Sequence, residues 1–167
     1  GGFPQGYPSR FWTYVRTLSE MGFVLAQYGQ PLQFSGIAVM LIKNEIDEQE
    51  AFSIQAMKYN RRSPYRNVSN DFNYFKFILK VLKQRERISY EQFIVSTFNN
   101  DGNVKEFLNV IDENTFGEPA EVEAFLRAEY GTNLKAQTIL RDYPDVVLRV
   151  LIITGFVSIQ FRGKVFI

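Results

Sequence analysis

Apolar residues recur at two different periods along this chain, and the alternation between them lays out its elements. After an extended lead-in over residues 1–9, rich in Gly and Pro, Trp12, Val15, Leu18 and Met21 follow at intervals of three. That spacing predicts an amphipathic helix from Arg10 to Met21. Gly22 suits its end, because glycine adopts positive φ without a Cβ clash. Phe23 to Ala26 and Leu32 to Phe34 then flank Tyr28-Gly29-Gln30-Pro31, which reads as strand, turn, strand. Ser35 can cap a helix from Gly36 to about Lys43, and another helix is expected from Glu48 to Tyr59.

Beyond a basic loop around Pro64, a second unit is expected to start near Asn70, with Asp71 at its first helix N-terminus. Phe72, Phe75, Leu79 and Leu82 form its apolar stripe, with Ile78 beside it, and Lys76, Lys80 and Lys83 fall on another face. Ser89, with Gln92 three residues on, predicts a capping box before a helix from Tyr90 to Phe98. Further helices are expected at Asn103 to Ile111, Glu118 to Tyr130 ending at Gly131, and 133–142. Pro144 is expected to open a last helix to Thr154. Gly155 then leads into a strand over Phe156 to Gln160, a turn at Arg162-Gly163, and a strand over Lys164 to Ile167.

The ending repeats the beginning. Aligning Gly22 with Gly155 matches Arg16 with Arg149, Leu18 with Leu151, Phe23 with Phe156 and Val24 with Val157. In each copy a helix feeds a hairpin through Gly-Phe-Val, which is the back half of a winged helix. The expected fold is therefore mainly α with short β-hairpins, arranged as tandem winged-helix-like (helix-turn-helix) subdomains. Residues 1–66 would hold a partial first subdomain and a basic linker, and residues 67–167 the second.

Composition narrows the chemistry. Hydrophobic residues make up 46% of the chain, with 16 Phe and 9 Tyr, enough to bury a core. Neither Cys nor His occurs, which removes disulfides, thiolate or imidazole zinc sites, and the usual neutral-pH base. There is no long apolar run free of charge and no basic, then apolar, leader at Gly1-Gly2-Phe3-Pro4, so a cytoplasmic location without a membrane segment is expected.

Glycine-rich phosphate loops and the Gly-x-Ser-x-Gly elbow are absent. Pro144-Asp145 could begin a nuclease metal motif, but the acidic-x-Lys half is missing, since Arg162 stands two residues before Lys164. No catalytic residue, metal site or cofactor is expected within this chain.

Charge is split into poles. From Lys58 to Arg87, nine basic residues stand against Asp71 and Glu86, a local charge of +7. From Asn99 to Gly131, eight acids stand against Lys105 and Arg127, a local charge of −6. A positive pole can neutralise phosphates. Within it, Arg61, Arg62 and Arg66 offer forked donors suited to phosphate or guanine. Arg16 and Arg149 occupy equivalent helices of the repeat, and Arg162 and Lys164 flank the turn of the second wing. These seven side chains are the candidate DNA contacts.

Several segments carry a family likeness. Leu32 to Leu41 (LQFSGIAVML), Ala56-Met57-Lys58-Tyr59, Phe75 to Leu82 followed by Ile88-Ser89 and Phe93, and Thr154-Gly155-Phe156-Val157 resemble the recognition region of type IIS restriction and nicking endonucleases of the AlwI, PleI and BstNBI kind. The resemblance implies winged-helix-like subdomains that read a short asymmetric DNA site. It also implies a separate C-terminal nuclease domain in the same full-length chain, to which any Mg2+ would belong.

The expected function is therefore sequence-specific binding of double-stranded DNA by a monomeric recognition fragment. The alternatives are a winged-helix scaffold for protein contacts, docking through the acidic segment 99–131, and a transcriptional regulator, which would dimerise on a palindrome.

Overall fold

The computed structural model describes residues 6–27, 29–60, 71–162 and 164–167. Contacts divide the chain into two units, Gly1–Asp71 and Phe72–Ile167.

In the first unit, helix α1 (Tyr7–Glu20) begins three residues ahead of its expected start. Pro8 lies in the first turn, where a missing N–H costs nothing, and Gly6 supplies the positive φ that turns the chain into the helix. Val15, Ser19 and Met21 are buried, whereas Trp12 and Leu18, expected on the same stripe, remain exposed. The helix ends at Gly22 (φ 78°), where Phe23 N–H donates to Leu18 O and Gly22 N–H to Ser19 O. These two bonds satisfy carbonyls that the last turn would leave open.

Strand β1 (Val24–Leu25) then pairs antiparallel with β2 (Gln33–Phe34). Ser35 N–H, donating to Phe23 O, extends the ladder. Ser35 Oγ accepts from Ala38 N–H to start α2 (Gly36–Ile42), and Asp47 caps α3 (Glu48–Lys58), which packs on α2. Buried Gln55 reaches from α3 to donate to Met21 O at 2.7 Å, and Phe52 meets buried Phe23 at 4.7 Å between ring centroids.

In the second unit, α4 (Tyr74–Arg85) is capped by Asn73, which accepts from Lys76 N–H, rather than by Asp71. Its core face is also turned from the expected stripe. Tyr74, Phe75, Phe77, Ile78 and Val81 are buried, while Leu79 and Leu82 are half-buried. Ring contacts explain the rotation: Phe77 meets Phe72 at 5.7 Å and Phe107 of α6 (Val104–Glu113) at 5.4 Å, which draws it inward. Lys76, Lys80 and Lys83 are exposed.

Helix α5 (Tyr90–Phe98) is the centre of this unit and packs against both α7 (Pro119–Tyr130) and α8 (Tyr143–Ile153). Five successive residues, Phe93 to Thr97, are buried, as befits a helix surrounded on all sides. Its two buried hydroxyls are satisfied: Ser96 donates to Phe93 O and meets Tyr74 Oη at 2.8 Å, and Thr97 donates to Ile94 O. The expected capping box is present, with Ser89 Oγ accepting from Gln92 N–H and Gln92 Oε1 from Ser89 N–H.

Pro144 does not open a new helix. A π-helical turn, Thr138–Asp142, runs without a break into α8, and Tyr143 N–H donates to Thr138 O. Proline cannot donate to the carbonyl four residues back and its ring crowds it, so the widened turn just upstream absorbs the mismatch.

The closing hairpin is shorter than expected, with β3 at Gln160–Phe161 only and β4 at Val165–Phe166. Val157, expected in a strand, lies outside it. The chain's last residue then pairs with the segment between α4 and α5: Ile88 and Ile167 exchange two backbone hydrogen bonds of 3.0 Å. The second unit thus carries a three-stranded arrangement in the order Ile88–Ser89, β4, β3.

Candidate nucleic-acid interface

The hairpin β3–β4 is held at its base and open at its turn. Ile88 and Ile167 fasten the β4 edge, and the Arg87 guanidinium lies over the Phe166 ring, 5.3 Å from its centroid. At the turn, Arg162 N–H donates to Lys164 O at 3.0 Å, which sets the two residues across from each other. Both side chains are exposed, and neither forms an ion pair among the described residues. Two cations on a short, anchored projection are suited to phosphate oxygens.

One acid tempers this charge. The Glu121 carboxyl is held below its ordinary range, first by the N–H of Gly117, then by the N–H of Glu118, with a smaller contribution from the positive charge of Lys164. Glu121 Oε2 accepts from those two amides at 2.8 and 3.1 Å, so the carboxylate is committed to the start of α7. Lys164 is near enough to sense it without being paired to it.

Arg149 stands on α8, six residues before Gly155, as the repeat predicts. Its Nε donates to Asp145 Oδ2 at 2.8 Å, an i,i+4 pair on the helix surface. The arginine side chain is 72% exposed, and pairs of this kind contribute only about 0.3–0.5 kcal/mol, so a phosphate could displace the aspartate at little cost. Arg16 lies exposed on α1 in the first unit. Arg61, Arg62 and Arg66 lie outside the described residues.

The arrangement therefore brings Arg162 and Lys164 together and leaves Arg149 on the helix that leads to them. Two residues carried no sequence signal of their place here, although Arg87 closes the basic stretch that begins at Lys58. Arg87 is one, since nothing local to it foretells the Phe166 ring. Phe161 is the other: it is 78% exposed at the end of β3, the most exposed of the large apolar side chains described.

Among the described residues, no three acids converge on a point where a metal ion could sit. Among the described residues, no helix is long and apolar enough to cross a membrane.

Residues 19–167 match the family model described as AlwI restriction endonuclease. No curated protein and no solved structure matches the chain.

Proposed function

The chain belongs to the AlwI restriction endonuclease family, and from that premise we propose that it supplies sequence-specific recognition of double-stranded DNA. The family implies DNA as the partner and restriction as the setting. The finer reading is that these residues form the recognition part of a type IIS enzyme. Cutting, and the Mg2+ it requires, would then belong to a nuclease domain of the same full-length chain.

The observation that carries this reading is the strand order Ile88–Ser89, β4, β3, with Arg162 and Lys164 unpaired at the turn among the described residues. A first helix, a short strand, further helices and a terminal hairpin whose last strand returns to the short one is the plan of a winged helix. In this unit α6, α7 and the π turn are inserted between α5 and α8. On such a scaffold the hairpin turn meets the sugar-phosphate backbone while a helix addresses the groove. Arg149 on α8 and the turn cations would then contact the same duplex. Arg16, with Arg61, Arg62 and Arg66, would contribute DNA contacts of the first unit.

The test is duplex binding at several salt concentrations, using DNA enriched by the protein from a random pool. Replacing Arg162 and Lys164 together with Ala should weaken binding and lower the slope of log K against log salt by about 2, close to one for each phosphate no longer neutralised. An unchanged slope would remove the hairpin from the interface. Enrichment of a short asymmetric motif is the expected outcome of the selection, and a palindrome would contradict the type IIS reading.

A further inference from the structure

We infer that Lys76, Lys80 and Lys83 of α4 form a second surface for duplex DNA, holding phosphates of one strand without regard to sequence; the inference rests on the DNA-binding reading above and adds residues which that reading does not include. The placement follows from the helix period. Tyr74, Ile78 and Val81 are buried at i, i+4 and i+7 and form the spine of α4 against the core. Each lysine stands two residues beyond one of them, about 200° round the helix. The three therefore share a narrow stripe on the far side, and all are exposed. Among the described residues none of them forms an ion pair, and α4 itself contains no acid. Glu86, in the left-handed turn that ends the helix, makes no ion pair either among those residues. The remaining cation of α4, Arg85, falls on the side of the spine and is paired with Asp112 of α6.

Folding does not account for this stripe. Lys76 occupies the first turn, where the positive end of the helix dipole disfavours a cation, and no first-turn acid offsets it. Lys76 and Lys80 at i,i+4, and Lys80 and Lys83 at i,i+3, are like-charged neighbours that repel. Only Lys83, in the last turn, suits the dipole. A polyanion is the occupant that this charge complements. From Lys76 to Lys83 the helix advances about 10.5 Å, over which one strand of a B-form duplex presents about three phosphates. Lysine is a compact charge on a flexible stem, fit to follow a backbone rather than to fork onto a base edge. Membership of a restriction endonuclease family makes DNA, rather than an acidic protein, the polyanion.

The experiment measures binding of the unaltered chain and three triple variants to the enriched duplex and to an unrelated duplex of equal length, over a range of salt. Lys76→Gln, Lys80→Gln and Lys83→Gln together should lower the slope of log K against log salt by about 3. Both duplexes should weaken by the same factor, since phosphate contacts carry no sequence information. The control removes equal charge elsewhere: Lys43→Gln, Lys105→Gln and Lys135→Gln, all at exposed positions, should leave the slope as it is. Arginine at the three α4 positions should keep it too. Because the α4 lysines are exposed and repel one another, their Gln variant should melt no lower than the unaltered chain. An unchanged slope in that variant would refute the stripe and leave DNA binding by the hairpin cations standing. Equal losses in the Gln variant and the control would refute it as well, because net charge alone would then explain them. A loss confined to the enriched duplex would mean base reading, and the inference would again be wrong. If the unaltered chain binds neither duplex at low salt, the underlying reading fails and the inference with it.

Discussion

Helices α1 and α8 both end on a left-handed glycine followed by Phe and Val, yet the chain leaves them differently. After α1 the amide of Phe23 returns to Leu18 O, the strand begins two residues past the glycine, and Phe23 is 3% exposed. After α8 the Thr154 hydroxyl stands in between: it donates to Leu151 O at 2.6 Å and accepts from Phe156 N–H at 3.3 Å. Strand β3 begins only five residues past Gly155, and Phe156 is 44% exposed. The same tripeptide thus closes two helices, but what it meets afterwards decides whether a hairpin is packed down or projected outward. Phe23 has Phe52 to pack against, while the second hairpin is held through its far strand instead.

Substitution at the first junction should show the largest effect. Gly22→Ala forces an L residue into the left-handed region and brings its Cβ to 2.6 Å from Gln55 Nε2, displacing the donor that holds Met21 O. The expected cost is about 2–3 kcal/mol, combining the backbone penalty with a lost buried hydrogen bond. Trp12 is the only tryptophan and belongs to the first unit, so its fluorescence during denaturant unfolding measures this directly. A cost below that of Gly131→Ala, where the added Cβ meets nothing within 4 Å, would refute the part assigned to Gln55.

A smaller effect is expected at Thr154, which is buried. Thr154→Val keeps the shape but removes the hydroxyl relay, and should destabilise the second unit by about 1–2 kcal/mol. Thr154→Ser should restore most of it, read by circular dichroism against denaturant. Equal behaviour of Val and Ser would mean the relay contributes nothing to ending α8.

The smallest effect concerns Glu121, whose carboxyl is lowered in the folded state. A lowered folded value means that its stabilisation is fully present above the ordinary 4.5 and is lost as pH falls through the folded value. Melting temperature followed from neutral to acid should therefore drop less steeply in Glu121→Gln, which cannot titrate. Superimposable acid limbs would show that the Gly117 and Glu118 amides do not hold the carboxylate in solution.

Local signals in the sequence were the reliable ones. The Ser89–Gln92 capping box, the Ser35 cap and the glycines that end α1 and α7 are decided within a few residues and could be read directly. What escaped depends on distant neighbours. The face of α4 turned because Phe77 finds Phe72 and Phe107, and Pro144 lies within a continuous helical run because a π turn absorbs its ring. At the candidate interface, Arg162 and Lys164 were legible from the turn between them. The exposure of Phe161 was not, because a two-residue strand has no periodicity to read.

The widened turn before α8 also sets a phase. Ile139 and Leu148 are both buried, yet nine residues of uninterrupted α-helix would leave them about half a turn apart. The surplus residue in Thr138–Asp142 retards the rotation, bringing Leu148 and Leu151 round toward the side that Ile139 occupies. Deleting a single residue there would restore ordinary winding upstream of Pro144 while swinging the downstream helix by about 100°, which would carry its leucines out of the core and Arg149 to a new bearing.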